Sequence, residues 1–124
     1  MATTSRYSAP QAPQVADGWT LERLTPPSRL FGANGLRTGP DGRLYVAQVS
    51  GSQISAIDVD SGVIETISPK GGDIVAPDDL AFDEEGNLYA TEITEGRVSV
   101  RAPNGVTRVL SADVPVANPI TVHQ

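Results

Sequence analysis

The sequence has no cysteine. Disulfides, thiolate zinc sites, iron–sulfur ligation and a cysteine nucleophile are therefore excluded, and a reducing compartment fits. Histidine occurs once, at His123. A Ser/His/Asp triad would have to be built on that residue, and no G-x-S-x-G nucleophile elbow accompanies it. Basic residues number 9 against 15 acidic, a formal charge of −6, and they are scattered singly. No basic patch is present, so neither nucleic acid nor an anionic membrane surface is an expected partner. No run approaches the roughly 18 apolar residues of a spanning helix. The segment Met1 to Gln14, MATTSRYSAPQAPQ, lacks the apolar core of a secretory signal, which makes the cytoplasm the expected location. Its composition reads as a flexible arm over 1–17. There is no phosphate-binding loop and no dinucleotide fingerprint.

Aromatic residues are also sparse, at 5%. The apolar content rests instead on Val, Ile, Leu and Ala in short runs between glycines and prolines. That pattern predicts a β-rich chain with many turns.

A repeat organises these runs. Asn34 to Tyr45 reads NGLRTGPDGRLY, and Asp78 to Tyr89 reads DDLAFDEEGNLY. Leu36 aligns with Leu80, Gly42 with Gly86, Leu44 with Leu88 and Tyr45 with Tyr89, each pair 44 residues apart. Ser55 and Ser99 keep the offset. A third unit opens at Asn118, in NPITVHQ. Within each unit the pattern predicts four strands: 36–38, 44–49, 53–57 and 63–67, then 80–82, 88–93, 97–101 and 106–110. Four short antiparallel strands in about 40–44 residues mark a propeller blade. A sandwich or barrel has no reason to restate its hairpin at a constant offset.

The expected fold is thus all-β. Blade one spans about 33–75, blade two about 76–116, and the first strand of a third falls in 117–124. Six such blades need roughly 250 residues, so the chain corresponds to part of a six-bladed propeller. A longer protein would supply the remainder, or several copies would close a ring as a homo-oligomer. Gly18 to Leu24, GWTLERL, reads as an outer strand of the ring-closing blade or as an edge strand packed elsewhere.

The stretches LRTGPDGRLYVAQVSGSQISAIDVDSG and PDDLAFDEEGNLYATEITEGRVSVRAPNG resemble blades of the senescence marker protein/gluconolactonase-like family. They are also similar to the wider lyase and NHL-type propellers. The resemblance implies a six-bladed propeller with one divalent cation, often calcium, in the central channel. It implies hydrolysis of lactones or related esters. The family's first unit begins with a Glu-Gly-Pro-like sequence whose Glu binds metal, and Asn34-Gly35-Leu36 occupies that place here. An NHL-like module that binds a ligand or protein without catalysis is the alternative.

The repeat itself marks a site. Asn34, Asp78 and Asn118 each stand two residues before the leading Leu or Ile of an innermost strand. Equivalent positions of innermost strands converge near a propeller's axis. Three oxygen-bearing side chains there suit a hard cation such as Ca²⁺, which can polarise a carbonyl and activate water. Asp79 is the candidate base or supporting carboxylate. The competing expectation is local turns, in which Asn and Asp bond their own backbone. Asp58-Val59-Asp60-Ser61-Gly62 and Asp83-Glu84-Glu85 read as hairpin turns. Gln48 and Glu92, equivalent ends of second strands, are candidates for the channel rim.

Overall fold

The computed structural model describes residues 13–26 and 30–123. Eight strands form two antiparallel sheets of four, each in sequential order. Sheet one holds β1 (Ala33–Thr38), β2 (Leu44–Gln48), β3 (Gln53–Ile57) and β4 (Ile64–Ser68). Sheet two holds β5 (Pro77–Phe82), β6 (Leu88–Glu92), β7 (Arg97–Arg101) and β8 (Thr107–Ser111). All eight strands expected of the two blades are present. β3 and β7 match to the residue, and the largest differences are at β1 and β5, each of which begins three residues earlier.

The hairpin turns explain why the repeats restate glycine. Gly42 and Gly86 sit at φ 81° and 82°, a left-handed conformation that closes the β1–β2 and β5–β6 connections. Asp58 Oδ1 accepts from the Asp60 and Ser61 amides and the Ser61 hydroxyl, so the 58–62 stretch is a turn. Asp83 likewise holds the Asn87 amide, the Asn87 side chain and the Tyr89 hydroxyl.

The core lies between the sheets. Tyr45, Ala47, Ile54 and Ala56 of sheet one meet Leu80, Leu88 and Ala90 of sheet two, with Ile74 from the connection between them. Alanine at three of these places lets the sheets approach closely. A fully buried Ile or Leu contributes roughly 2–3 kcal/mol. The Tyr45 and Phe82 rings meet edge to face, with centroids 4.9 Å apart.

Two buried polar networks occupy equivalent positions. In sheet one, Gln48 donates to Ser55 Oγ at 2.8 Å and accepts from Gln53 at 3.2 Å. In sheet two, Glu92 accepts from Arg97 through both oxygens, from Ser99 Oγ and from the Val75 amide. Gln48 and Glu92 are both wholly buried. They are therefore not at the channel rim: their hydrogen bonds run to the neighbouring strand, and for Glu92 also to the connection from blade one.

Two expected strands are not formed. Residues 18–24 carry no strand, and Trp19 is 76% exposed. Residues 120–123 likewise carry none. A lone segment with no neighbouring strand to complete its ladder has only side chains to hold it.

Candidate functional site

Both innermost strands are irregular at the same place. The β1–β2 register shifts between Ala33 and Leu36, and the β5–β6 register shifts between Pro77 and Asp79. A bulge turns a side chain away from the regular alternation. Here the bulges carry Asn34 and Asp78. Asn34 Nδ2 donates to Asp78 Oδ1 at 2.6 Å.

Gly35 makes that approach possible. A Cβ on it would lie 2.6 Å from Asp79 Cα, inside any real contact distance. The backbones of β1 and β5 touch at a point where only glycine fits.

A cleft of about 390 Å³ opens there, lined by Asn34, Arg37, Asp78, Asp79 and Asn118 among others. The three residues selected by the repeat thus share one site, and Asp79 joins them. Asp78 is buried, at 4% exposure, while Asn34 and Asn118 are exposed. Asp79 is heavily bonded. Its Oδ1 accepts from the Leu80 amide at 2.9 Å, and its Oδ2 accepts from the Ile120 amide at 3.1 Å. Arg37 Nη2 stands 3.5 Å from the same Oδ2. His123 is exposed and outside the cleft.

Arg37 is the member that sequence reasoning missed. Its Nε donates to the Leu80 carbonyl at 3.1 Å, and its Nη2 to the Ile120 carbonyl at 3.3 Å. The signal was available: the repeat places Ala81 and Thr121 at the equivalent positions, so this charge appears once on an innermost strand.

The donor set can be compared with a calcium ion's needs. Asn34, Asp78 and Asn118 offer one carboxylate and two amides, the right oxygen chemistry. Calcium takes six to eight oxygens, so the three side chains do not fit a calcium site by themselves. Among the described residues no group of three His, Cys, Asp or Glu could hold a metal.

A larger hollow of about 510 Å³ lies away from this cleft, between the hairpin turns of the two sheets. Its Arg43 is already paired with Asp41 and Glu65. Burial works to raise the Asp41 pKa, but hydrogen bonds from Arg43 and Tyr45 outweigh it and hold the carboxyl below its ordinary value. Asp41 there also accepts from the Arg43 amide and so closes its turn.

Two four-stranded blades packed face to face, with equivalent residues of their innermost strands gathered at one cleft, define part of a β-propeller. Solved structures agree. The chain is similar to selenomethionine-substituted virginiamycin B lyase from Staphylococcus aureus, with a TM-score of 0.62 and 20% identity over 78% of this chain and 33% of that one. A catalytically inactive form of that lyase, solved with quinupristin, gives the same figures. A streptogramin B lyase structure matches with a TM-score of 0.60 and 19% identity, over 74% of this chain and 31% of the other. The chain thus spans about a third of the length of these neighbours. No protein-family model matches the chain, and no curated protein sequence matches it. Among the described residues no helix is long and apolar enough to cross a membrane.

Proposed function

We propose that this chain contributes two blades to a gluconolactonase-like propeller, a cytoplasmic hydrolase of lactones or related esters. One observation supports the reading above others. Asn34, Asp78 and Asn118, picked out by a repeat, lie on one cleft that Arg37 also lines. Such a cleft offers acceptors to substrate hydroxyls and donors to a carbonyl. A divalent ion of the calcium type would draw on the side-chain oxygens of these three residues together with ligands from further blades, and would supply Lewis acidity. Those blades come from further sequence or from copies of the chain assembled as a homo-oligomer.

The test is turnover of a panel of sugar and aliphatic lactones, with and without CaCl₂, on the wild-type chain and on Asp78→Asn. Turnover that needs CaCl₂ and falls at least about tenfold in Asp78→Asn supports the reading. The solved neighbours are lyases by name, so product mass is part of the assay. Hydrolysis adds one water, and elimination adds none.

A second reading is a non-catalytic NHL-like binding module. It is favoured by Asn34 standing where the family pattern has a metal-binding Glu. No turnover on any lactone and no thermal stabilisation by CaCl₂, under conditions where copies of the chain assemble, would favour that reading over the first.

A further inference from the structure

Residues 118–123 belong to no strand, yet Asn118 reaches the cleft. The bonds that hold this segment are specific. The Ile120 N–H donates to Asp79 Oδ2 at 3.1 Å, and the Ile120 carbonyl accepts from Arg37 Nη2 at 3.3 Å. Both backbone groups of one residue are thus taken by an acid and a base that stand 3.5 Å from each other. The acid comes from blade two and the base from blade one. Thr91 Oγ1 adds a third bond, to the Asn118 carbonyl at 2.6 Å.

We infer that Arg37 and Asp79 are positioning residues: a two-blade clamp that seats the third innermost segment and so brings Asn118 to the cleft. Backbone groups that no strand satisfies must find other partners, and the ion pair supplies them. The pair is not a general blade feature. At the position of Asp79 the other units carry Gly35 and Pro119, and at the position of Arg37 they carry Ala81 and Thr121. Arg37 also grips the Leu80 carbonyl, the repeat equivalent of Ile120. One guanidinium therefore ties the innermost segments of all three units. With both oxygens engaged, Asp79 acts through Asn118 rather than as a base on substrate. This role rests on the cleft being the binding site proposed above.

Hydrogen exchange measured by NMR on the whole chain tests the clamp. Arg37→Met removes both donors at similar size, and Asp79→Ala removes the acceptor. In each, the Ile120 amide should exchange about tenfold faster or more, since one net hydrogen bond is worth roughly 1 kcal/mol and charge-assisted ones more. The Ala90 and Val100 amides should keep their rates. Unchanged Ile120 exchange in both variants overturns the inference. Asp79→Asn keeps an acceptor but loses the charge. It should give an intermediate rate, and it decides the matter if Asp79→Ala does not fold.

A second readout separates seating from simple loosening. The side-chain amide signals of Asn34 and Asn118 are followed during CaCl₂ titration. If the wild type responds at both, the variants should lose the Asn118 response and keep that of Asn34. Equal loss at both residues would overturn the clamp in favour of general damage. If the wild type does not respond, the metal part of the proposed function fails, and the Ile120 exchange rates still decide the clamp.

Discussion

At the scale of single residues, the two buried networks show how one position is solved twice. Gln48 with Gln53 and Ser55 is neutral, while Glu92 with Arg97 and Ser99 is charged. Removing one partner of a buried ion pair strands the other charge. Glu92→Gln should therefore cost about 2–4 kcal/mol, tempered by the 23% exposure of Arg97, through which water can reach its guanidinium. Glu92→Gln with Arg97→Gln recreates the neutral arrangement of blade one. It should recover stability to within about 1 kcal/mol of wild type. Urea melts of the single and double variants check this, and a double variant no better than the single one would refute the equivalence. The turn carboxylates make a pH prediction. Hydrogen bonds from the Ser61 backbone and hydroxyl lower the pKa of Asp58, and the Asn87 side chain lowers that of Asp83, both below the ordinary 3.8. A carboxyl depressed in the folded state adds stability above its unfolded pKa and loses it as pH falls through the folded value. Stability should therefore persist from neutral pH to the ordinary aspartate range and decline below it. Urea midpoints between about pH 7 and about pH 2.5 should show that decline, and Asp58→Asn and Asp83→Asn should each reduce it.

At the scale of elements, the contact between β1 and β5 sets the cleft. Gly35→Ala would force a methyl against the Asp79 backbone, which has no flexible end to give way. The expected loss is about 2–3 kcal/mol, together with the Asn34–Asp78 hydrogen bond. Gly42→Ala is the control. Open space surrounds Gly42, and only its φ of 81° is strained, so the cost should stay near 1 kcal/mol. Thermal melts and the Asn34 side-chain amide signal measure the two effects. If Gly35→Ala is no worse than Gly42→Ala, the close approach is not what shapes the cleft. The same strands show what was legible in the sequence. All eight were readable because a hairpin restated at an offset of 44 fixes type, order and turn together. Asn34, Asp78 and Asn118 were readable because the repeat put them in register. The bulges were not, since NG and DD before a leucine look like ordinary strand entries. Arg37 and the Gln48 and Glu92 networks were missed for one reason. A polar residue in a short strand gives no sign of whether it points to solvent, to the axis or between blades. The paired change of Gln48 to Glu92 with Gln53 to Arg97 was the available clue, because buried partners must change together.

At the scale of the molecule, blade two repeats the face that blade one buries. Tyr45, Ile54 and Ala56 are 8%, 0% and 0% exposed because sheet two covers them. Their equivalents are Tyr89, Val98 and Val100, on the side of blade two that faces away from blade one. Tyr45 meets Phe82 edge to face, and no equivalent aromatic pair involves Tyr89 among the described residues. Val100 is buried there and Tyr89 and Val98 are half-buried, so a second copy's blade one would have to pack on the part of this face that Tyr89 and Val98 leave open. Such a head-to-tail contact can close into a ring. Charge opposes it, since each chain brings −6, and salt screens that repulsion over a Debye length of about 10 Å at 0.1 M. Sedimentation of the chain should therefore show mass rising with protein concentration, more steeply at high salt than at low. Tyr89→Glu places a carboxylate in the contact and should hold the chain as a monomer under the same conditions, whereas Tyr89→Phe, which loses only the hydrogen bond to Asp83, should keep the rise in mass. A wild-type chain that stays monomeric at high salt and high concentration would show that copies of this chain do not complete the ring.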